Sequence, residues 1–317
     1  MKPDNQVKFK KKSIFQLASM SLKDTETYYR EKRKHDQDKE LKHIFIRKCF
    51  HAIIVRLLFV RRFFAKQKLV ITSDKRKNNG KARVYACTHI GGDDVVIFYE
   101  AYKDHCYWLF GDFGVFYKKL DGLLLYLNGV ICMDTWHKED RQIAKNRAVE
   151  VLKKNCNILI CPEGSWNITE NKPVMQMFTG AVEMAIESGA DIIPVAIEQY
   201  GNTFYVNMGE NISTEHMTMD KKREHTADLR DIMSTLKWEI WEEYGRTNRA
   251  ELPANASEQW MQYIQEMCDA VDFPMEEVIR TMYIDKNDVT MQEVRDIINN
   301  LIPSKANAFL YNKRNHY

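Results

Sequence analysis

The sequence predicts an α/β fold: a mostly parallel sheet flanked by helices, with a basic N-terminal helical segment before it and a helical C-terminal region after it. Three observations carry this. Short apolar runs at 83–88, 107–110, 130–133, 157–161 and 192–199 alternate with stretches of helical periodicity, the pattern of strand, crossover and parallel strand. The polar residues best suited to chemistry sit at or just past the ends of those runs, where open parallel sheets hold their ligands. After about residue 210 the strand-like runs stop and the chain reads as helical and acidic.

In chain order, residues 1–24 read as a basic tail, either solvated or engaged with a surface of opposite charge. Residues 25–42 are charge-dense and predict an exposed helix, after which Leu41, Phe45 and Ile46 begin an apolar face. From 49 to 64 apolar residues dominate and Arg56, Arg61 and Arg62 interrupt them. No window reaches the ~18 uncharged apolar residues that a spanning helix needs. This segment has two readings: a helix lying in a lipid headgroup layer with its guanidinium groups on phosphates, or a helix packed on the protein's own core. Residues 74–80 form a turn by composition.

The run 83–88 is a strand ending at His89, and the helix after Gly91 and Gly92 has Val95, Val96, Phe98 and Tyr99 as its apolar positions. Strands are expected at 107–110 and 130–133 on either side of an apolar helix at 120–128. Residues 136–155 fit an amphipathic helix through Ile143, Ala144, Val149 and Leu152. A buried strand at 157–161, a helix at 182–188 closed by Gly189 and a strand at 192–199 complete the core. Helices are then expected at 223–244, 256–271, 276–282 and 291–301. Residues 285–290 lack the sixth-position glycine and terminal glutamate of a calcium loop, and no metal site is expected. The organisation is thus a basic amphipathic N-terminal segment (1–70), an α/β core (71–212) and a helical C-terminal region without nameable chemistry (213–317).

Charge is distributed unevenly. Residues 1–84 carry 24 Lys and Arg against 8 Asp and Glu, whereas the remainder carries 23 against 36. A basic first quarter joined to an acidic remainder points to a surface partner of opposite sign, nucleic acid or anionic lipid. The Phe and Leu residues interleaved at 57–64 suit a bilayer better than a phosphate backbone, so no nucleic acid is expected. Seven cysteines show no CxxC pair or disulfide spacing, which argues for a reducing compartment. The N-terminus lacks an apolar signal core. The expected place is the cytoplasmic face of a membrane, peripherally attached.

Two motifs carry the chemistry. In His89-Ile-Gly-Gly-Asp-Asp94, a carboxylate five residues after a histidine suggests an imidazole held in one tautomer and able to take a proton from a hydroxyl. In Cys161-Pro-Glu-Gly-Ser165, the end of another strand supplies a carboxylate and exposed backbone at a second loop. Together they suggest group transfer to a hydroxyl. The pair resembles the signatures of the glycerolipid acyltransferase family, H-x-x-x-x-D and F/Y-P-E-G-T/S. Three further blocks resemble that family in order and spacing: Gly129-Val-Ile-Cys-Met-Asp134, the run from Phe178 to Ala185, and Ile193-Pro194-Val195.

The resemblance implies transfer of an acyl chain from a thioester, acyl-CoA or acyl carrier protein, to the hydroxyl of a lysophospholipid, with no cofactor. A 1-acylglycerol-3-phosphate acceptor, in phospholipid biosynthesis, leads. His89 would be the general base, a role typically worth about two to four orders of magnitude in rate, and Asp94 would fix its tautomer and stabilise the imidazolium. Glu163, Gly164 and Ser165 would shape the acceptor site, their backbone N–H groups and the Ser165 hydroxyl meeting a phosphate or oxyanion.

Two departures bear on the acceptor. The family's second block usually ends in an arginine where this chain has Thr135, and its third often has an arginine where this chain has Trp166. Neither replacement offers the bidentate guanidinium that suits phosphate. Lys118 and Lys119, then Lys138, Arg141 and Lys172, are the substitute cations. The alternatives are a different lysolipid head group or a non-catalytic lipid-binding relative.

Overall fold

The computed structural model describes residues 9–111, 120–169, 172–245, 255–271 and 273–282. The strands are β1 (Lys68–Asp74), β2 (Arg83–Cys87), β3 (Cys106–Phe110), β4 (Val130–Cys132), β5 (Asn157–Ile160), β6 (Asp191–Tyr200) and β7 (Thr203–Met208). They form one sheet in the order β1-β7-β6-β2-β5-β3-β4, parallel throughout except for the β6–β7 hairpin. The mostly parallel sheet is the one that the alternation of runs predicts, and the five expected strands are present within a residue or two of their expected ends.

The outer strands β1 and β7 are additions to the sequence reading. β1 follows directly on an arginine-rich helix, and none of its residues is fully buried: Leu69, Val70, Thr72 and Ser73 are half-buried around an exposed Ile71. β7 is joined to β6 by a two-residue turn, Gly201-Asn202, and mixes Thr and Asn with its apolar residues. Neither shows the bounded apolar run that marks a buried strand. The boundary expected at residue 70 therefore cuts β1.

Successive strand side chains alternate between the faces, the two-residue period of a pleated sheet. Val84, Ala86, Ile158, Ile160 and Ile192 lie in the core of one face, which includes residues of α6 (Lys138–Lys153), α7 (Gly180–Ser188) and α8 (Lys222–Tyr244). Tyr85, Cys87, Leu159, Ile193, Val195 and Ile197 lie on the other, with α4 (Asp94–Tyr102); α5 (Leu120–Asn128) connects β3 to β4. α8, expected within the C-terminal region, is thus a sheet-covering helix. Leu236 and Ile240 pack on Ala196, and its buried Lys237 meets Glu198 at 3.1 Å while Trp241 donates to the same carboxylate.

The N-terminal segment corrects the charge argument. After the short α1 (Ile14–Ala18), α2 (Leu22–Asp36) ends six residues before the expected helix end at 42. Arg33 of α2 grips the buried Asp140 with both Nε and Nη2, and Arg30 meets Asp134 at 2.9 Å. From α3 (Ile44–Phe64), Arg61 pairs with Asp93 and Arg62 with Glu100, each at 2.8 Å. Much of the partner of opposite sign is therefore the protein's own acidic surface. Arg61 and Arg62 are engaged with carboxylates rather than standing free for phosphates.

α3 packs one side on the protein, as the second reading of its sequence expects, and leaves the other side exposed. Its inner side buries His51 and Ile54. Its outer side carries Ile46, Cys49, Ile53, Leu57, Val60 and Phe64, spaced three or four residues apart and all exposed. No helix among the described residues is long and apolar enough to cross a membrane. None of the seven cysteines is in a disulfide.

Candidate active site

β2 and β5 lie side by side in parallel, so their C-terminal ends open at the same edge of the sheet. The loop after β2 carries His89 and the loop after β5 carries Glu163. This is the elementary reason that two motifs 74 residues apart in sequence meet.

Asp94 is the first residue of α4 and is fully buried. Its Oδ2 accepts the backbone N–H groups of Ile90 at 2.8 Å and Gly91 at 3.0 Å, and lies 2.7 Å from His89 Nδ1. An oxygen that already accepts from two backbone donors is met by a third donor, so the ring carries its proton on Nδ1 and leaves a lone pair on Nε2. The His89 side chain keeps 16% of its surface exposed, and Nε2 has no hydrogen-bond partner among the described residues. The result is an imidazole fixed in one orientation, with its second nitrogen unpaired among the described residues.

The loop between them is tightly built. Gly91 has φ +84, and a Cβ there would stand 2.8 Å from Met267 Cε and from Trp166 Cδ2. A side chain is excluded on both counts, backbone conformation and room. Gly164, at φ +74, would put a Cβ 2.5 Å from the Phe178 ring.

Glu163 holds the His89 backbone rather than standing open at the surface. It is completely buried, its Oε1 accepting the His89 N–H at 3.1 Å and its Oε2 accepting the Met175 N–H at 2.7 Å. Burial raises its carboxyl to about 7, against the pull of these two N–H groups. In return, the Asn167 N–H donates to the His89 carbonyl at 2.7 Å. Both sides of the His89 peptide are therefore fastened to the Pro-Glu-Gly loop.

Gly164 and Ser165 also depart from the expectation that they meet an anion. The Gly164 N–H closes a turn onto the Cys161 carbonyl. The Ser165 hydroxyl donates to the Val278 carbonyl at 2.7 Å and accepts from Thr281 Oγ1 at 2.9 Å. All three residues thus serve the loop's shape. Asp134, at the end of β4, is likewise structural, held by Arg30 and accepting the Trp136 N–H.

Lys118 and Lys119 lie outside the described residues. Lys138 is exposed, Arg141 donates to the Thr135 carbonyl, and Lys172 is half-buried. What sequence reasoning missed is the C-terminal contribution. α9 (Ala256–Val271) and α10 (Met275–Thr281) form a satellite core of Trp260, Ile264, Cys268 and Val278 around Ile168, with Trp166, Met267 and Phe273 packed against it. Trp166 stands edge-on to His89 at 6.2 Å and against Phe273 at 5.2 Å. No local signal in α9 or α10 announces this role, because nothing there but an ordinary amphipathic pattern is visible.

Comparison with known proteins bears on the same region. Residues 68–198 match the family model described as Acyltransferase, a span that starts with β1 and ends within β6. The chain is 28% identical over 130 residues to a 1-acyl-sn-glycerol-3-phosphate acyltransferase of Saccharomyces cerevisiae, covering 37% of this chain and 43% of that protein. It is 25% identical over 146 residues to an uncharacterized acyltransferase of Schizosaccharomyces pombe, covering 42% and 52%. The chain thus spans about half the length of these curated relatives. Among solved structures, the 1-acyl-sn-glycerophosphate (LPA) acyltransferase PlsC of Thermotoga maritima aligns with a TM-score of 0.45 and 12% identity, over 72% of this chain and 86% of that one.

Proposed function

We propose that this chain, whose residues 68–198 match the Acyltransferase family model, is a glycerolipid acyltransferase that transfers an acyl chain from a thioester to the hydroxyl of a lysophospholipid, 1-acylglycerol-3-phosphate first among them. One observation carries the reading: His89 is held by the buried Asp94 at 2.7 Å through Nδ1, with Nε2 open.

A hydroxyl is a weak nucleophile at neutral pH. Nε2 takes its proton as the oxygen attacks the thioester carbonyl, and Asp94 stabilises the imidazolium that forms. When the tetrahedral intermediate collapses the carbon–sulfur bond breaks, and the imidazolium returns the proton to the departing thiolate. The products are the diacyl lipid and the free thiol, and no acyl-enzyme is formed. The acyl donor is acyl-CoA or acyl carrier protein.

The protein works at a membrane surface as a peripheral protein on the cytoplasmic face. The exposed apolar stripe of α3 supports the first part, and free thiols throughout support the second. The test is turnover of a labelled acyl thioester with lysolipid acceptors. His89→Ala is expected to abolish transfer while vesicle binding persists. Unchanged turnover in that variant refutes the reading.

A further inference from the structure

We infer that Arg280, on the C-terminal helix α10, is the anchor for the phosphate of the acceptor, so that the C-terminal region completes the acceptor side of the cleft. This rests on the acyl-transfer reading above and names a residue that decides which acceptor is used.

Three observations place it. First, α10 is fastened to the Pro-Glu-Gly loop: Ser165 Oγ donates to the Val278 carbonyl at 2.7 Å, Thr281 Oγ1 donates to Ser165 Oγ at 2.9 Å, and Val278 is fully buried. The helix thus sits on the loop whose next residue, Trp166, stands against the His89 ring. Second, the Arg280 guanidinium lies 4.6 Å from the ring centre of Trp136, in the loop after β4. It therefore spans the strand ends β5 and β4, on the side of the opening away from β6. Third, the two positions where the resembled family often carries an arginine hold Thr135 and Trp166 in this chain.

The chemistry suits a phosphate monoester. A guanidinium lying over an aromatic ring is held in plane, leaving N–H groups at its edge for two parallel bonds to phosphate oxygens. Its carboxylate partner, Glu277, is one turn back on the same helix, and both side chains are well exposed, at 55% and 38%. An exposed pair of this kind contributes little to stability. A dianionic phosphate can take over the guanidinium without leaving a buried charge unpaired. A neutral head group gains nothing from it.

The experiment compares two acceptors of one acyl length in mixed micelles, 1-acylglycerol-3-phosphate and the corresponding monoacylglycerol, with a single acyl thioester. The full-length wild type, Arg280→Ala, Arg280→Lys and His89→Ala are assayed. The wild type is expected to prefer the phosphate acceptor. Arg280→Ala should raise KM for that acceptor about tenfold to a hundredfold, the usual cost of a lost charge-assisted contact. KM for the thioester and the thermal midpoint should stay unchanged, and Arg280→Lys should recover part of the loss. An unchanged KM in Arg280→Ala overturns the anchor. So does a wild type indifferent to phosphate. A lowered thermal midpoint with both acceptors equally impaired overturns it too, since Arg280 is then only a clasp on Trp136. An inactive wild type, or a fully active His89→Ala, strikes the acyl-transfer reading, and the anchor falls with it. An active wild type, a dead His89→Ala and an unaffected Arg280→Ala strike the anchor alone.

Discussion

The Glu163 carboxylate accepts the backbone N–H of His89 at 3.1 Å, so the second signature motif positions the first through the main chain. Its other oxygen takes the Met175 N–H, and Asn167 returns a bond to the His89 carbonyl. His89 is consequently steered by two systems, its ring by Asp94 and its backbone by the Pro-Glu-Gly loop. A glutamate that reads as acceptor-binding in the sequence is a buried positioning residue in the fold.

Glu163 makes stability depend on pH in a definite direction. Burial lifts its carboxyl from the model-peptide value of 4.5 to about 7. Between these values the native state keeps a proton that the unfolded chain has lost, so the native state binds more protons. Stability from this group therefore falls as pH rises from about 4.5 to about 7, by at most about 1.4 kcal/mol per pH unit. Half-buried His105, pushed down to about 4 by desolvation, gives the opposite slope over part of this range. That slope is common to wild type and Glu163→Gln and cancels in their difference. Urea unfolding of the two proteins from pH 4.5 to 7.5 should show the wild type losing its advantage over the variant as pH rises. A difference independent of pH would show that the carboxyl does not titrate in this window.

Asp94→Asn removes the charge that faces the His89 ring and makes the side chain an ambiguous partner for it, donor or acceptor. The backbone N–H groups of Ile90 and Gly91 compete for the remaining carbonyl oxygen. The expected result is a fall in kcat of about a thousandfold or more with KM little changed. Steady-state kinetics with the lysolipid acceptor check this, and a loss below tenfold would show that the ring is oriented by something else.

On the proposed membrane-surface reading, the outer stripe of α3 is the contact with lipid. Leu57 and Val60 are 55% and 47% exposed and belong to no core cluster. Burying such a side chain is worth about 1.5–3 kcal/mol, so replacing each with glutamate should weaken binding to anionic vesicles about tenfold or more. Turnover of a short-chain acceptor below its micelle concentration should stay the same. Vesicle sedimentation with Leu57→Glu and Val60→Glu provides the measurement, and undiminished binding would remove α3 from the membrane contact.

Local pattern was enough to reveal the strands that hold the site and the residues at their ends. An apolar run such as Val84–Cys87 or Ile158–Ile160 must be buried wherever it lies, and the short spacing of His89 and Asp94 allows one loop to bring them together. Partners far apart in the chain leave no such trace. Ser165 and Thr281 are 116 residues apart, Arg33 and Asp140 are 107, and neither pair has any periodicity to betray it. For that reason the inward turn of Glu163, the capture of the Ser165 hydroxyl by α10, the pairing of the basic segment with the protein's own carboxylates and the addition of β1 and β7 became visible only in the assembled fold. Burial and spacing are properties of a segment, whereas the choice of partner belongs to the whole packed chain.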